Sequence, residues 1–197
     1  MVELTYELHL HSCLSPCGDD TMTPNNIAGM AMLNGVQIAA LTDHNTSRNC
    51  PAFFEACAKV GVIPVAGMEL TTAEEIHMVC LFATLEEALA FDAVVCEHRM
   101  KIKNRPDIFG EQQILDGDDE LIGIEEDLLI AATDLDLDRA AVLVEESELD
   151  KISIANIVKE VAEDSKRRQT MEEKISDFVR TDVSKLIYKE IRILLDK

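Results

Sequence analysis

Positive charge is scarce in this 197-residue chain: 18 Lys+Arg stand against 38 Asp+Glu, a formal net charge of −20. The shortage is uneven. Residues 1–150 hold 7 basic against 29 acidic side chains, whereas residues 151–197 hold 11 against 9. So acidic a body repels nucleic acid unless cations offset it, and nucleic acid is not an expected partner. Long apolar runs are missing too. None approaches the roughly 18 residues of a membrane span, so no membrane association is expected. The opening residues, MVELTYELHLHS, lack the basic segment and apolar core of a secretory signal, and a cytoplasmic location is the expectation. In that compartment the cysteines Cys13, Cys17, Cys50, Cys57, Cys80 and Cys96 are expected to be thiols or ligands, not disulfides. Residues 151–197 contain no Gly, Pro, Cys or His. All the chemistry-bearing side chains therefore fall in residues 1–150, which we read as an α/β domain, with 151–197 as a helical tail.

At 47% hydrophobic the chain can build a core. Glu3–His11 reads as a strand. Thr23-Pro24 is a helix start, with Thr as N-cap and Pro at the first position, and the helix stops at Asn34-Gly35. Val36–Thr42 is strand, Pro51–Val60 helix closed by Gly61, Val62–Met68 strand, Ile76–Phe82 strand. Thr84 opens a helix that runs to about Arg99. The order β-α-β-α-β-β-α argues for a largely parallel sheet. Its strands are almost wholly apolar, as when both faces are covered. Ile114–Leu115 and Leu121–Ile122 flank an acidic turn and read as a hairpin. Glu125–Ala132 is a further candidate strand, and Asp136–Glu146 a short helix. In the tail, Ile152, Ala155, Ile157, Val158 and Val161 make one apolar helical face, and a second runs from Met171 to Leu194.

His9 and His11 end the first strand and, two apart, point to one face. His44 follows the second strand and Glu69 the third. His77 starts the fourth. Strand C-termini of a parallel sheet share one rim, where ligands bind. An antiparallel return from the third strand to the fourth, across the short link Thr71–Glu75, brings His77 to that rim as well. Imidazole and carboxylate donors suit Zn, Mn or Fe. A carboxylate such as Glu69 is able to bridge two cations. Cations so held clamp a phosphate and activate a bound water, so no side chain is singled out as the nucleophile.

These residues resemble the PHP (polymerase and histidinol phosphatase) domain family. The resemblance rests on Leu8-His9-Leu10-His11-Ser12, Leu41-Thr42-Asp43-His44-Asn45, Gly67-Met68-Glu69-Leu70 and Ile76-His77, and covers about residues 3–100, more loosely to 146. It implies a distorted (β/α)7 barrel with two or three divalent cations (Mn, Zn or Fe) at the strand ends, and hydrolysis of phosphate esters. It implies that His9 and His11 hold one metal, that Glu69 bridges it to a second also bound by His77, and that His44 holds a third. The substrate would be a phosphorylated small molecule or nucleotide.

Two departures stand out. Where the family places an Asp or His facing the third metal, this chain has Cys17. Cys17 is either a thiolate ligand or a loop-packing residue, and Asp19 or Asp20 is the alternative ligand. The family also supplies a later His and an Asp-x-His. Here only His98 follows His77, in a helical run beside charges, and no Asp-x-His occurs. The expectation is therefore a partial or truncated PHP-type barrel with a helical tail. Its function is metal-dependent phosphate-ester hydrolysis. The alternative is a degenerate module that binds metal or phosphate without turnover. In that case the tail docks or dimerises the chain. The tail's plainer role is to pack on the exposed sheet.

Overall fold

Period-two apolar residues and well-placed caps lay down the first half of the chain. In the computed structural model the described residues are 4–146 together with Asp164, Lys166 and Gln169. Apart from those three residues, the helical tail and the boundary near residue 150 lie outside them. β1 (Tyr6–Leu10), α1 (Pro24–Leu33), β2 (Ile38–Leu41), α2 (Cys50–Val60), β3 (Ile63–Thr71), β4 (His77–Phe82) and α3 (Leu85–His98) follow in the expected order. Then come α4 (Pro106–Phe109), a hairpin of β5 (Gln113–Leu115) and β6 (Leu121–Ile124), and α5 (Leu137–Glu146). Thr23 caps α1 through its side chain, and Thr84 with Glu87 forms a capping box on α3. Gly61 closes α2 at φ 83°, a left-handed conformation that costs glycine little.

One sheet carries the architecture, in the order β1-β2-β3-β4. β1, β2 and β3 are parallel, and β4 returns antiparallel to β3. Alternation sorts its side chains into two layers. Ala39, Leu41, Ala66, Met68, Leu70, Cys80 and Phe82 face the helices and join Ile27, Phe53 and Phe91 in the main core. Ile38, Ala40, Ile63 and Val65 point the other way and form a smaller cluster with Leu4, Leu8 and Leu81. We call the second face the inner face. It is not fully covered by the described residues: on the edge strands Tyr6 is 64% exposed and Val79 40%. The expectation that both faces are covered therefore fails for β1 and β4 among these residues.

A second correction concerns Glu125–Ala132, which is not a strand. Only an isolated bridge joins Lys103 to Asp127. Side chains capture this segment's backbone instead. Gln112 donates to the carbonyls of Glu125 and Asp127 and accepts from the Leu129 N–H. Asn45 donates to the carbonyls of Leu129 and Ala131. Polar groups satisfied this way have no need of a ladder.

Candidate metal centre

A bulge decides how the first two histidines point. Tyr6 and Glu7 pair with Ile38 and Ala39, but the register slips before Leu10 meets Leu41. Leu8 packs in the inner cluster and Leu10 against the helix-side core, although two apart they should share a face. After the slip His9 and His11 lie on the inner face, at the C-terminal end of β1.

Glu69 is inside β3 rather than after it. β3 outlasts its parallel partner because β4 continues the ladder, pairing Glu69 with Val79 and Thr71 with His77. Glu69 and His77 are therefore diagonal neighbours on one face. His44 sits beside Glu69 in an isolated parallel bridge beyond β2. Asn45 follows at φ 51°, a conformation rare outside glycine, and its side chain accepts from the Thr71 N–H. That clamp ties the ends of β2 and β3 together.

Four imidazoles thus converge on one buried carboxylate. Glu69 Oε2 lies 2.9 Å from His9 Nε2 and 2.9 Å from His11 Nε2, and Oε1 lies 2.9 Å from His77 Nδ1. His44 Nδ1 is 3.6 Å from Oε2 and has no hydrogen-bond partner, although its side chain is only 4% exposed. His11 and His44 stack with ring centroids 4.7 Å apart. Among the described residues three donor groups fit a cation: His9, His11 and Glu69; His44, Glu69 and His77; and His11, Cys17 and His44.

Behind the imidazoles lies a polar network that motif reading did not find. Asp43, fully buried, accepts from the Ser12 N–H and hydroxyl, each at 2.7 Å, and from the Ser15 hydroxyl at 2.8 Å. Ser15 Oγ, its proton given to Asp43, accepts from the His44 N–H at 3.0 Å. It must then also accept from His11 Nδ1, at 3.2 Å. That assigns the Nδ1–H tautomer to His11 and leaves the Nε2 lone pair facing Glu69 Oε2 and His9 Nε2, the latter 3.1 Å away. The lone pairs of His11 Nε2 and Glu69 Oε2, 2.9 Å apart, repel unless a cation lies between them, so the residues present fit a metal.

Ionisation points the same way. Burial pushes His44 down to about 4 and also lowers His11, so both rings stay neutral and free to ligate. Burial acts to raise Glu69, but the imidazoles of His9, His44 and His77 around it outweigh that, leaving its carboxyl below the usual range. Burial raises Asp43 despite its serine donors. It also raises the Cys17 thiol, with the Asp43 charge adding to the effect.

Asp19 is not brought into any donor group. Its carboxylate is exposed and accepts from the Thr21 N–H and hydroxyl in a local turn. Asp20 is exposed as well. His98 pairs with Asp134 at 2.7 Å. The six cysteines are free, and burial lifts the thiols of Cys13, Cys50 and Cys80 to about 12.

A family model for the PHP domain matches residues 7–167, well over half of the chain. The chain belongs to the PHP family. The match runs beyond the span in which the PHP motifs were legible. No curated protein matches the chain. Among solved structures it is similar to a candidate metal-dependent phosphoesterase from Bifidobacterium adolescentis, at 22% identity and a TM-score of 0.38. That similarity covers 47% of this chain, which spans only 33% of the other. Among the described residues no helix is long and apolar enough to cross a membrane.

Proposed function

We propose that this PHP chain is a metal-dependent phosphoesterase whose centre is a carboxylate-bridged pair of divalent cations on the sheet rim. The observation that carries the reading is the split of Glu69, one oxygen toward His9 and His11 and the other toward His77. His9, His11 and Glu69 would hold one cation, and Glu69, His77 and His44 the other. Bound there, divalent cations (Mn, Zn or Fe) supply the Lewis acidity and water activation that ester hydrolysis needs. Asp43 and Ser15 hold His11 in its ligating tautomer. His9 and His77, 47% and 42% exposed, mark the side from which a phosphorylated small molecule or nucleotide enters. The sheet is read as the first part of a distorted (β/α)7 barrel, and residues 151–197 as a helical tail that packs on it or dimerises the chain.

Purified protein should carry at least one cation per chain by elemental analysis. It should release phosphate from an aryl phosphate when Mn or Zn is added, and His9→Ala and Glu69→Ala should abolish this. Less than one cation per chain, with both variants matching wild type, would overturn the proposal. A second reading, metal binding without turnover, is favoured by the sequence after His77, which offers only His98, paired with Asp134, and no Asp-x-His. Bound metal with no phosphate release from any ester class would select it.

A further inference from the structure

A thiol and a guanidinium meet at the end of α3, and neither belongs to the donor groups of the rim. Cys96 lies in the last turn of the helix and is half-buried, and Arg99 follows as the C-cap. Arg99 Nη2 donates to Cys96 Sγ at 3.1 Å and to Glu125 Oε2 at 3.1 Å. That carboxylate oxygen also accepts from Arg48 Nη1 at 2.8 Å, while Oε1 accepts from the Asp127 N–H. Asp92 faces Arg48, 3.9 Å from its Nε, and accepts from Thr46 and Ser47. Arg99 Nε and Nη1 are left without an acceptor among the described residues, although the side chain is only 5% exposed. A guanidinium keeps its protons, and buried donors without acceptors are costly. The place therefore calls for strong acceptors beside Nη2, where only a sulfur, a weak one, now stands.

We propose that Cys96 is a modification site, oxidised by hydrogen peroxide to the sulfinate, which the free nitrogens of Arg99 hold. The thiol proton leaves to solvent. Sulfur attacks one peroxide oxygen, and a sulfur–oxygen bond forms as the oxygen–oxygen bond breaks. The other oxygen leaves as hydroxide and takes up a solvent proton to give water. Sulfur loses two electrons and the peroxide gains them. A second peroxide repeats the step on the sulfenate and gives the sulfinate, whose two oxygens match the two free nitrogens. A planar fork of N–H donors suits such a bidentate anion. Cys13, Cys50, Cys57 and Cys80 are buried, and burial keeps their thiols protonated. Cys17 is more exposed than Cys96, so accessibility alone would have Cys17 react first.

The test treats the full chain with hydrogen peroxide and reads each cysteine peptide by mass spectrometry. Cys96 should take up oxygen at least about tenfold faster than Cys17, the factor that a charge-assisted hydrogen bond to the developing anion supplies. It should proceed to two oxygens, and unfolding in urea should erase its lead. Arg99→Lys keeps a cation opposite Glu125 and loses the fork. In that variant, folded by circular dichroism, Cys96 should react about tenfold more slowly and stop at one oxygen. If Arg99→Lys fails to fold, the native and urea rates of wild type decide alone. Cys17 reacting ahead of Cys96 in the native chain would overturn the proposal. So would a lead of Cys96 that persists in urea, a wild-type Cys96 that halts at one oxygen, or a folded Arg99→Lys that matches wild type.

Discussion

His11 and His77 reach the same carboxylate from opposite sides, but only one is held from behind. His11 is 19% exposed, and its second nitrogen is fixed by Ser15, which Asp43 fixes in turn. His77 is 42% exposed, and among the described residues its ring has a hydrogen bond only to Glu69. The difference follows from the elements that supply them. β1 runs into a loop that folds back over Asp43, while β4 is an edge strand beside open inner face. In the proposed centre a buried network would preorganise one half and leave the other free to adjust to what binds. Polar groups out of water must find partners, and these partners also set tautomer and aim.

The largest effect expected is from Glu69→Gln, which weakens both halves at once. Turnover should fall by roughly 10³-fold or more, and metal content should drop below that of any single-histidine variant. Next comes a test of the comparison itself. Ser15→Ala should weaken metal binding by about 10–100-fold although Ser15 touches no cation, a loss readable by chelator competition. His77→Ala has no such support to lose and should cost less affinity than His11→Ala. Equal losses from these two would erase the distinction between the halves.

Stability should divide the two faces of the sheet in a similar way. Phe53→Ala on the helix side, where Phe53 is fully buried, should cost about 3–5 kcal/mol by denaturant unfolding. Tyr6→Ala on the open face should stay within roughly 0.5 kcal/mol. The metal-free protein should also lose stability as pH falls. His44 titrates near 6.5 unfolded but about 4 folded, so the unfolded chain binds more protons between those values. Stability is intact above the window and declines through it, by up to about 3 kcal/mol, with His11 acting in the same direction. His44→Gln should flatten that decline in pH-dependent unfolding. The smallest effect belongs to Asp19→Ala, whose exposed carboxylate serves only Thr21 and should leave metal content unchanged.

Much of this was legible in the chain. The caps Thr23 and Thr84, the stop at Gly61 and the alternation of β2 and β3 are local, and local signals survive into the fold. The histidines could be placed because strand ends of a parallel sheet share a rim. The Asp43 network was not legible. Asp43 looks like any acidic residue before a histidine, and its burial depends on a loop 31 positions away in sequence at Ser12. The same holds for Glu125, which reads as part of an acidic run yet is buried against Arg99 at 3.1 Å and Arg48 at 2.8 Å. Long-range partners of that kind leave no periodicity to read.

By itself the sequence determined the order of elements, the family, and which side chains are able to ligate a cation, because these depend on residue type and short spacings. Tertiary structure decided which of them meet. The bulge in β1 turned His9 and His11 inward, the β3–β4 ladder set Glu69 beside His77, and the folded-back loop chose Cys17 over Asp19. Each choice depends on where a backbone goes after a turn. That is set by the packing of distant segments and not by the identity of the residue that is moved.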